Sequence, residues 1–277
     1  MVAHVVRLHG PPALAAPELE PYTRLRDRDL AGRTDGLFVA EGEVVVRVLA
    51  SPRQTHFRVR SLLLEERRVE SLRDVLEALP ADVPAYVVPQ AWMDGLVGFP
   101  IHRGILALGE RGAPRSAESI LEGGGVALAL VGLVNHDNVG SVMRNAAAFG
   151  ARGVLLDPTT CDPLYRKSIR VSVGGALVVP FARCASTDAM LDTIAAAGWE
   201  PLALTGGGDE TLDAVAREAR APRGRVLLLG TEGAGLPERV LARTRRIRID
   251  MTPALDSLNV AVASGIALYE ATRGARG

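Results

Sequence analysis

The sequence has few cysteines, few histidines and no long apolar run, and each shortage excludes a class of protein. Its two cysteines, Cys161 and Cys184, form neither a disulfide framework nor a Cys-x-x-Cys metal pair, which is typical of a reducing compartment. The five histidines are scattered and no His-Glu-x-x-His motif occurs, so we expect no metal site. The longest charge-free stretches, residues 123–136 and 257–269, are shorter than the roughly 20 residues that cross a bilayer. The N-terminus lacks a basic segment followed by an apolar run, so we expect a cytoplasmic protein with no secretory signal and no membrane partner.

The chain carries no net charge, because its 32 basic and 32 acidic residues balance. Any site for a polyanion must therefore be local. Two stretches contain several arginines and no acid, namely residues 44–64 and residues 239–248. Such stretches are most often solvated faces, although arginine also suits bidentate phosphate contacts.

The length and composition are typical of a globular protein of two domains, with 277 residues of which 48% are hydrophobic and 23% charged. A segment rich in Gly, Ser and charge separates two patterned regions. We therefore predict an N-terminal domain over residues 1–108, a linker over 109–124 and a C-terminal domain over 125–277. In the first domain, short apolar stretches predict strands at 37–39, 59–64, 86–88 and 105–108. Apolar residues at helical spacing predict helices at 18–30, 44–49 and 72–79. Together these elements predict a small α/β domain.

The second domain alternates more clearly between strands and helices. Short, fully apolar stretches predict strands at 126–131, 154–156, 177–181, 201–204, 226–229 and 247–249. Candidate helices lie at 139–149, 187–197, 212–219 and 258–273. This pattern predicts a doubly wound, mostly parallel sheet with helices on both faces.

Three loops carry the residues that suggest chemistry, since ligands of such a sheet bind beyond the carboxyl ends of its strands. The first loop has Asn138 as a candidate N-cap and Arg144 about two turns into the following helix. The second, residues 230–237, has three glycines in six residues together with Glu232. The third has Ser257 as a candidate N-cap and Asn259 as an unusual polar residue near the start of an apolar helix.

Each loop taken alone also has a purely structural interpretation: a capped helix with an exposed arginine, a glycine-rich turn, and an apolar helix that packs on another surface. Neither a Gly-x-Gly-x-x-Gly turn nor a Walker A loop is present, and there is no Gly-x-Ser-x-Gly elbow. The residues by themselves indicate an α/β enzyme that binds a small ligand with polar and apolar parts.

Taken together and in this order, the three loops resemble the three motifs of the SpoU (TrmH) family of RNA 2′-O-ribose methyltransferases, within the SPOUT class. The resemblance covers residues 125–271. Residues 37–42, Leu-Phe-Val-Ala-Glu-Gly, are similar to a shorter signature in the family's accessory RNA-binding domain. The resemblance implies that the last strands and the final helix thread through a preceding loop and form a deep trefoil knot.

The resemblance also implies S-adenosylmethionine as the cofactor and a homodimer in which each site is completed by the other subunit. The implied cofactor-binding residues are Gly230, Ile249 and Leu258, then Leu204, Thr205 and Gly206, with Met251 for apolar contact. The implied polar active-site set is Asn138, Arg144, Glu232, Ser257 and Asn259. Arginine is essentially always protonated. We therefore expect Arg144 to clamp a phosphate and stabilise negative charge, while phosphate, Glu232 or water takes the proton.

The expected activity is S-adenosylmethionine-dependent 2′-O-methylation of a ribose in structured RNA, with ribosomal RNA favoured over transfer RNA. The candidate RNA-binding residues are Arg47, Arg53, Arg58, Arg60, Arg166, Lys167 and Arg170. Two alternatives stay open from the sequence. One is a non-catalytic RNA-binding or ribosome-associated protein that retains the fold, and the other is a nicotinamide or nucleotide enzyme on a Rossmann sheet.

Overall fold

The structure is a computed structural model that describes residues 3–8, 17–23, 25, 36–53, 56–218, 223–252, 254 and 257–273. Internal contacts divide the chain into two compact units. The first comprises Met1–Ala113 with Leu164–Val178, and the second comprises Pro114–Pro163 with Val179–Gly277. Among the described residues, no helix is both long and apolar enough to cross a membrane. The division into an N-terminal RNA-binding domain, a linker over residues 109–124 and a C-terminal catalytic domain stays a prediction.

The strands are short, as the apolar stretches predict. They are β1 His4–Arg7, β2 Leu37–Glu41, β3 Arg58–Glu65, β4 Pro84–Val88, β5 Ile105–Glu110, β6 Gly125–Leu130, β7 Val154–Leu156, β8 Phe181–Arg183, β9 Glu200–Leu204, β10 Glu210–Thr211, β11 Gly224–Leu229 and β12 Arg245–Arg248.

The helices alternate with these strands. They are α1 Glu43–Leu49, α2 Arg73–Ala78, α3 Gln90–Val97, α4 Ala117–Ile120, α5 His136–Phe149, α6 Arg166–Val171, α7 Gly175–Val178, α8 Thr187–Ala196, α9 Leu212–Ala216, α10 Glu238–Leu241 and α11 Val260–Arg273. Short 3-10 turns occur at Glu20–Tyr22, Glu66–Arg68 and Glu70–Leu72.

The first unit contains a five-stranded mixed sheet in the order β1-β4-β3-β5-β2. Strands β1 and β3 run parallel to β4, whereas β5 is antiparallel to both β3 and β2. Its core includes the fully buried Tyr22, whose hydroxyl hydrogen-bonds the Ser61 hydroxyl at 2.8 Å. Helices α6 and α7 belong to this unit although they follow β7 in the chain.

The second unit contains a seven-stranded sheet in the order β10-β12-β9-β11-β6-β7-β8. Every pairing described between its strands is parallel. The predicted α/β fold with a mostly parallel C-terminal sheet is therefore confirmed. Most residues of β6 and all residues of β11 are buried, and apart from Arg225 both strands are apolar.

Two predicted elements differ in the structure. The strand expected at 177–181 is wrong, because residues 175–178 form α7 and the strand begins only at Phe181, after Pro180. A short apolar stretch of this kind cannot be assigned to a strand or a buried helix by periodicity alone. Of the helix expected at 18–30, only the 3-10 turn at Glu20–Tyr22 is described, since residues 24 and 26–30 lie outside the described residues. Residue 219, the expected end of the helix at 212, lies outside them too.

The N-caps of the two long helices also differ from the predictions. Asn135, not Asn138, caps α5, because its side-chain oxygen accepts hydrogen bonds from the backbone N–H groups of Asp137 and Asn138. The side chain of Asn259, not of Ser257, caps α11, and its oxygen lies 2.9 Å from the N–H of Ala261. The side chain of Asn138 is therefore available for other contacts, whereas Asn259 caps α11.

One loop of five residues, 205–209, joins β9 to β10 although β12 lies between these two strands. The loop is fastened to β12 by backbone hydrogen bonds, one from the Thr205 N–H to the Ile247 carbonyl at 2.9 Å. The backbone of β12 leaves no room for a side chain at Gly208, since a Cβ there would lie 2.4 Å from the Ile247 carbonyl carbon. The strand β12 is thus tightly enclosed by the chain that precedes it.

Candidate active site

One cavity of the second unit opens where β9, β11 and β12 end. Its volume is about 570 Å³, within the range usual for small-molecule sites. All seven predicted cofactor-binding residues line it, namely Leu204, Thr205, Gly206, Gly230, Ile249, Met251 and Leu258. Three members of the predicted polar set, Glu232, Ser257 and Asn259, line the same cavity. The structure thus brings together residues that are up to 55 positions apart in the chain.

A cluster of three polar side chains lies at this cavity. The amide nitrogen of Asn138 donates to the Glu232 carboxylate at 2.6 Å. The amide nitrogen of Asn259 donates to the same carboxylate oxygen at 3.0 Å and to the Asn138 amide oxygen at 3.1 Å. Because these hydrogen bonds fix one carboxylate oxygen, Glu232 is held in a defined orientation while its other oxygen has no described partner.

Three different elements position this cluster. Asn138 lies in the first turn of α5 and is buried, while Asn259 immediately precedes α11. Glu232 lies in a small hairpin in which Thr231 and Gly235 exchange backbone hydrogen bonds at 3.1 and 3.2 Å. The hairpin needs glycine at 235, where φ is +67°. The second glycine-rich loop therefore serves to present a carboxylate.

Arg144 lies apart from this cluster. It is exposed on α5, six residues after Asn138, which places it about 9 Å further along the helix axis and about 120° around it. It does not line the cavity. Within the part of the chain that the structure describes, its guanidinium has no hydrogen-bond or ion-pair partner.

Asn145, which the sequence analysis does not identify, joins the two helices that carry the site. Its amide nitrogen donates to the Ala261 carbonyl at 2.7 Å and to the Ser264 hydroxyl at 2.9 Å. It follows Asn138 by seven residues and so lies on the same face of α5. That spacing is the only signal in the sequence that could have pointed to it.

The candidate RNA-binding arginines differ in their exposure and in their contacts with acidic side chains. Arg47 is engaged within its own unit, since its guanidinium contacts Glu43 at 3.0 Å and Asp74 at 2.7 Å. Arg166 is 11% exposed, lies 2.8 Å from the buried Glu41 and stacks over Phe99.

The other candidates are more accessible. Arg170 is half-buried and lies 3.5 Å from Glu41. Arg58 and Arg60 are both exposed on β3, whose pairing with β5 shifts register between Val59 and Ser61. Arg60 lies 3.8 Å from Glu110. Arg53 is exposed as well, and Lys167 is partly exposed.

The arginine stretch at 239–248 is mostly neutralised by acids of its own unit. Arg243 contacts Asp188 and Asp192, Arg245 contacts three glutamates, Arg246 contacts Asp209 and Arg248 contacts Asp250. Hydrogen bonds from Arg245 hold the pKa of Glu210 and of Glu218 below their usual values. Among the described contacts, only Arg239 in this stretch has no acidic partner.

Helix α11 presents an apolar face to solvent. Val262 is 53% exposed and Tyr269 is 46% exposed, with Ile266 between them at helical spacing. The small residue Ala267 of the same helix is fully buried within its own chain. The exposed face therefore consists of large side chains rather than small ones.

The lining of the cavity suits a ligand with apolar and polar parts. Leu204, Leu229 and Leu258 supply apolar walls, and the backbone at Thr205, Gly206 and Gly230 supplies hydrogen-bonding groups. No group of three or more potential metal-ligating side chains occurs among the described residues.

Comparison with known proteins gives a consistent result. The sequence profile of the SpoU rRNA Methylase family matches residues 125–269. A protein of Mycobacterium tuberculosis named as an uncharacterized tRNA/rRNA methyltransferase is 38% identical over 244 residues, 86% of this chain and 81% of that protein.

Two solved structures are also similar. An AdoMet-bound rRNA methyltransferase from Sinorhizobium meliloti is 25% identical with a TM-score of 0.75 and covers 98% of both chains. A structure that concerns 2-OH methylation of C/U34 on tRNA is 34% identical with a TM-score of 0.50, over 56% of this chain and 98% of that one.

Proposed function

The chain belongs to the SpoU rRNA methylase family, and we propose that it transfers the methyl group of S-adenosylmethionine to a ribose 2′-oxygen of RNA. The observation that carries the proposal is the single cavity in which the seven candidate cofactor residues meet Glu232 and Asn259. The family and the relatives support RNA methylation, and the structure that concerns 2-OH methylation on tRNA supports the ribose as acceptor.

S-adenosylmethionine is the proposed cofactor because the similar Sinorhizobium meliloti protein binds AdoMet and because the cavity fits its chemistry. When bound, it supplies an activated methyl group on a sulfonium. The apolar walls at Leu204, Leu229 and Leu258 would hold the adenine, and backbone groups at Gly206 and Gly230 would bind its polar edges.

The polar cluster would act on the acceptor. Glu232 keeps one carboxylate oxygen without a described partner and can accept a hydrogen bond, and then a proton, from the 2′-hydroxyl. Asn138 and Asn259 hold the carboxylate in place, and Ser257 lies on the same wall of the cavity. Arg144 cannot act as a base, since arginine stays protonated, so its role would be to bind the adjacent phosphate.

We propose that Arg144 acts in the site of a second copy of the chain. It lies outside the cavity of its own chain, and it is exposed with no partner among the described residues. The apolar face of α11 formed by Val262, Ile266 and Tyr269 would form part of the homodimer interface, because large exposed apolar side chains at helical spacing are typical of such surfaces.

A trefoil knot is also proposed for the C-terminal unit. The position of β12 between β9 and β10, which are joined by only five residues, supports a chain that threads through a preceding loop. Threaded connections are rare, so this strand order is informative.

The N-terminal unit is the proposed accessory RNA-binding domain. Arg53 and Arg58 are the best candidates for phosphate contact because both are exposed, whereas Arg47, Arg60 and Arg166 lie close to acids. Ribosomal RNA is the favoured substrate and the cytoplasm the proposed location.

The deciding experiment is transfer of a labelled methyl group from S-adenosylmethionine to ribosomal and transfer RNA, followed by mapping of the nucleotide whose 2′-oxygen is blocked. Glu232→Gln should reduce transfer at least about 100-fold while RNA binding is retained. RNA binding without any transfer by the wild-type protein would favour the non-catalytic alternative.

The shared site can be tested by mixing two inactive variants, Arg144→Ala and Glu232→Ala. If each site takes its arginine from the other chain, mixed dimers contain one intact site and recover up to about a quarter of the wild-type activity. No recovery in mixed dimers would place Arg144 with its own chain's cavity instead.

A further inference from the structure

A second cavity of about 540 Å³ lies in the same unit, at the carboxyl ends of β6, β7 and β8. It is lined by the loops that follow these strands, including Val131, Gly132, Pro158, Thr159 and Ser186, and by Pro237 and Arg239 after the hairpin. None of the residues assigned to the cofactor or to the polar cluster lines it. Its position is the crevice in which open parallel sheets usually bind their ligands.

The two cavities share one wall. Thr231, Ala234 and Gly235 line both, so the hairpin that presents Glu232 separates them. On the side of the second cavity, Gly132 packs closely against the hairpin. Its φ is +73°, and a Cβ at this position would lie 2.8 Å from the Thr231 methyl carbon. A ligand in the second cavity would therefore lie directly behind the proposed methyl-transfer site.

The mouth of the second cavity is rigidly built. Asp157 is 4% exposed and accepts hydrogen bonds from the Gly132 N–H at 3.1 Å, the Thr160 N–H at 2.8 Å and the hydroxyls of Thr159 and Thr160. Burial opposes the charged form, but these hydrogen bonds outweigh it and hold the pKa of the Asp157 carboxyl below its usual value. These hydrogen bonds fix the loop after β7 in a defined geometry at the cavity.

The charges of the lining select the class of ligand. Asp157 and Asp188 both line the cavity, and two carboxylates disfavour a phosphate inside it. Arg239 is exposed at the same cavity and, within the described residues, is the one arginine of the 239–248 stretch without an acidic partner. A neutral group with apolar faces and a hydrogen-bonding edge fits the interior, and an attached phosphate fits Arg239. A nucleoside unit has both features.

We propose that the second cavity binds a nucleoside of the substrate RNA that neighbours the methylated one. The faces of Pro158 and Pro237 would contact the base, the hydroxyls of Thr159 and Ser186 would bind its edge, and Arg239 would bind the phosphate. This proposal rests on the proposed function and adds to it a site that selects and positions the RNA.

The test uses two exposed residues of this cavity with matched controls outside it. Pro158→Trp fills the cavity and Arg239→Ala removes its cation, whereas Pro114→Trp and Arg115→Ala make the same changes at exposed positions before α4. For each full-length variant, KM for RNA and kcat are measured with labelled S-adenosylmethionine, and the Kd for S-adenosylhomocysteine is measured by calorimetry.

We expect Pro158→Trp to raise KM for RNA about tenfold or more, and Arg239→Ala to raise it about threefold to tenfold with a weaker dependence on salt. The controls should stay near wild type, and the Kd for S-adenosylhomocysteine should change less than about twofold in every variant. If Pro158→Trp disturbs cofactor binding, the KM for RNA of Arg239→Ala still tests whether the second cavity binds RNA.

Cavity variants with the same KM as their controls, in an active protein, would overturn this inference alone. A wild-type protein that methylates no RNA would overturn the proposed function and this inference together.

Discussion

The loop that crosses β12 provides a sharp test, because it contains two adjacent glycines with opposite surroundings. A Cβ at Gly208 would lie 2.4 Å from the Ile247 carbonyl carbon and 2.6 Å from the Arg248 nitrogen. A Cβ at Gly207 would have no atom within 4 Å. Gly208→Ala and Gly207→Ala therefore add the same methyl group to the same loop, in one case against a central strand and in the other into open space.

The expected cost at Gly208 follows from the distances. Carbon atoms in contact are normally about 3.5–4.0 Å apart, so the loop or β12 must move by about 1 Å. Overpacking of this kind costs about 1–3 kcal/mol, and the upper end applies because the clashing atoms are backbone atoms that cannot rotate away. At about 2–4 °C per kcal/mol, a cost of about 3 kcal/mol lowers Tm by about 6–12 °C.

The control should behave in the opposite way. Gly207→Ala leaves φ outside the left-handed region and reduces the freedom of the unfolded chain, so it should be neutral or stabilise by up to about 1 kcal/mol. Thermal unfolding followed by circular dichroism measures both variants. Because Thr205 and Gly206 line the cofactor cavity, Gly208→Ala should also weaken S-adenosylhomocysteine binding. Equal melting temperatures for the two variants would refute the placement of this loop on β12.

Three further predictions concern charge and pH. Asn259→Asp keeps the cap of α11 but puts a second carboxylate about 3.0 Å from Glu232, a repulsion of about 1.4 kcal/mol in water. Urea unfolding should show a destabilisation that is largest near pH 8 and shrinks toward pH 4. The reason is that the repulsion raises the pKa of the introduced carboxyl, which favours its protonation in the folded state. A hydrogen bond from Arg245 lowers the pKa of Glu210, so this pair stabilises the fold above about pH 5 and the contribution is lost as the pH falls. Arg245→Gln should therefore flatten the decline in Tm between about pH 5 and pH 3. An unchanged decline would count against a stabilising role of the pair. Partial burial raises the pKa of the Cys184 thiol to about 11. Iodoacetamide should therefore modify it slowly at pH 8 and about ten times faster for each further pH unit, as peptide mass spectrometry can follow. Rapid modification at pH 8 would contradict this raised pKa.

Much of the fold could be predicted because the second sheet is buried on both faces. Most residues of β6 and all residues of β11 are buried, so apart from Arg225 these strands appear in the sequence as apolar stretches of strand length. Strand β10 escaped prediction, since it has only two residues, Glu210 and Thr211, and both are polar. Part of helix α7 was predicted as a strand, because a helix of four residues is too short to show a helical period.

The sequence suggested a set of site residues but could not give their contacts. The resemblance implied the cofactor residues, and the structure gathers them in one cavity. The sequence could not assign the caps, because Asn135, Asn138 and Asn259 are all chemically capable of capping and only the chain path decides between them. The role of Asn145 depends on partners 116 and 119 residues away, which no local pattern reveals.

The position of β12 has a consequence for biosynthesis. In the described sheet β10 pairs only with β12, and β12 lies between two strands that leave the ribosome earlier. A nascent chain that ends before Arg245 therefore has a gap in its sheet and lacks the Ile249, Met251 and Leu258 walls of the cavity. Because domains fold as units, the C-terminal unit can become competent for its cofactor only after translation of nearly the whole chain.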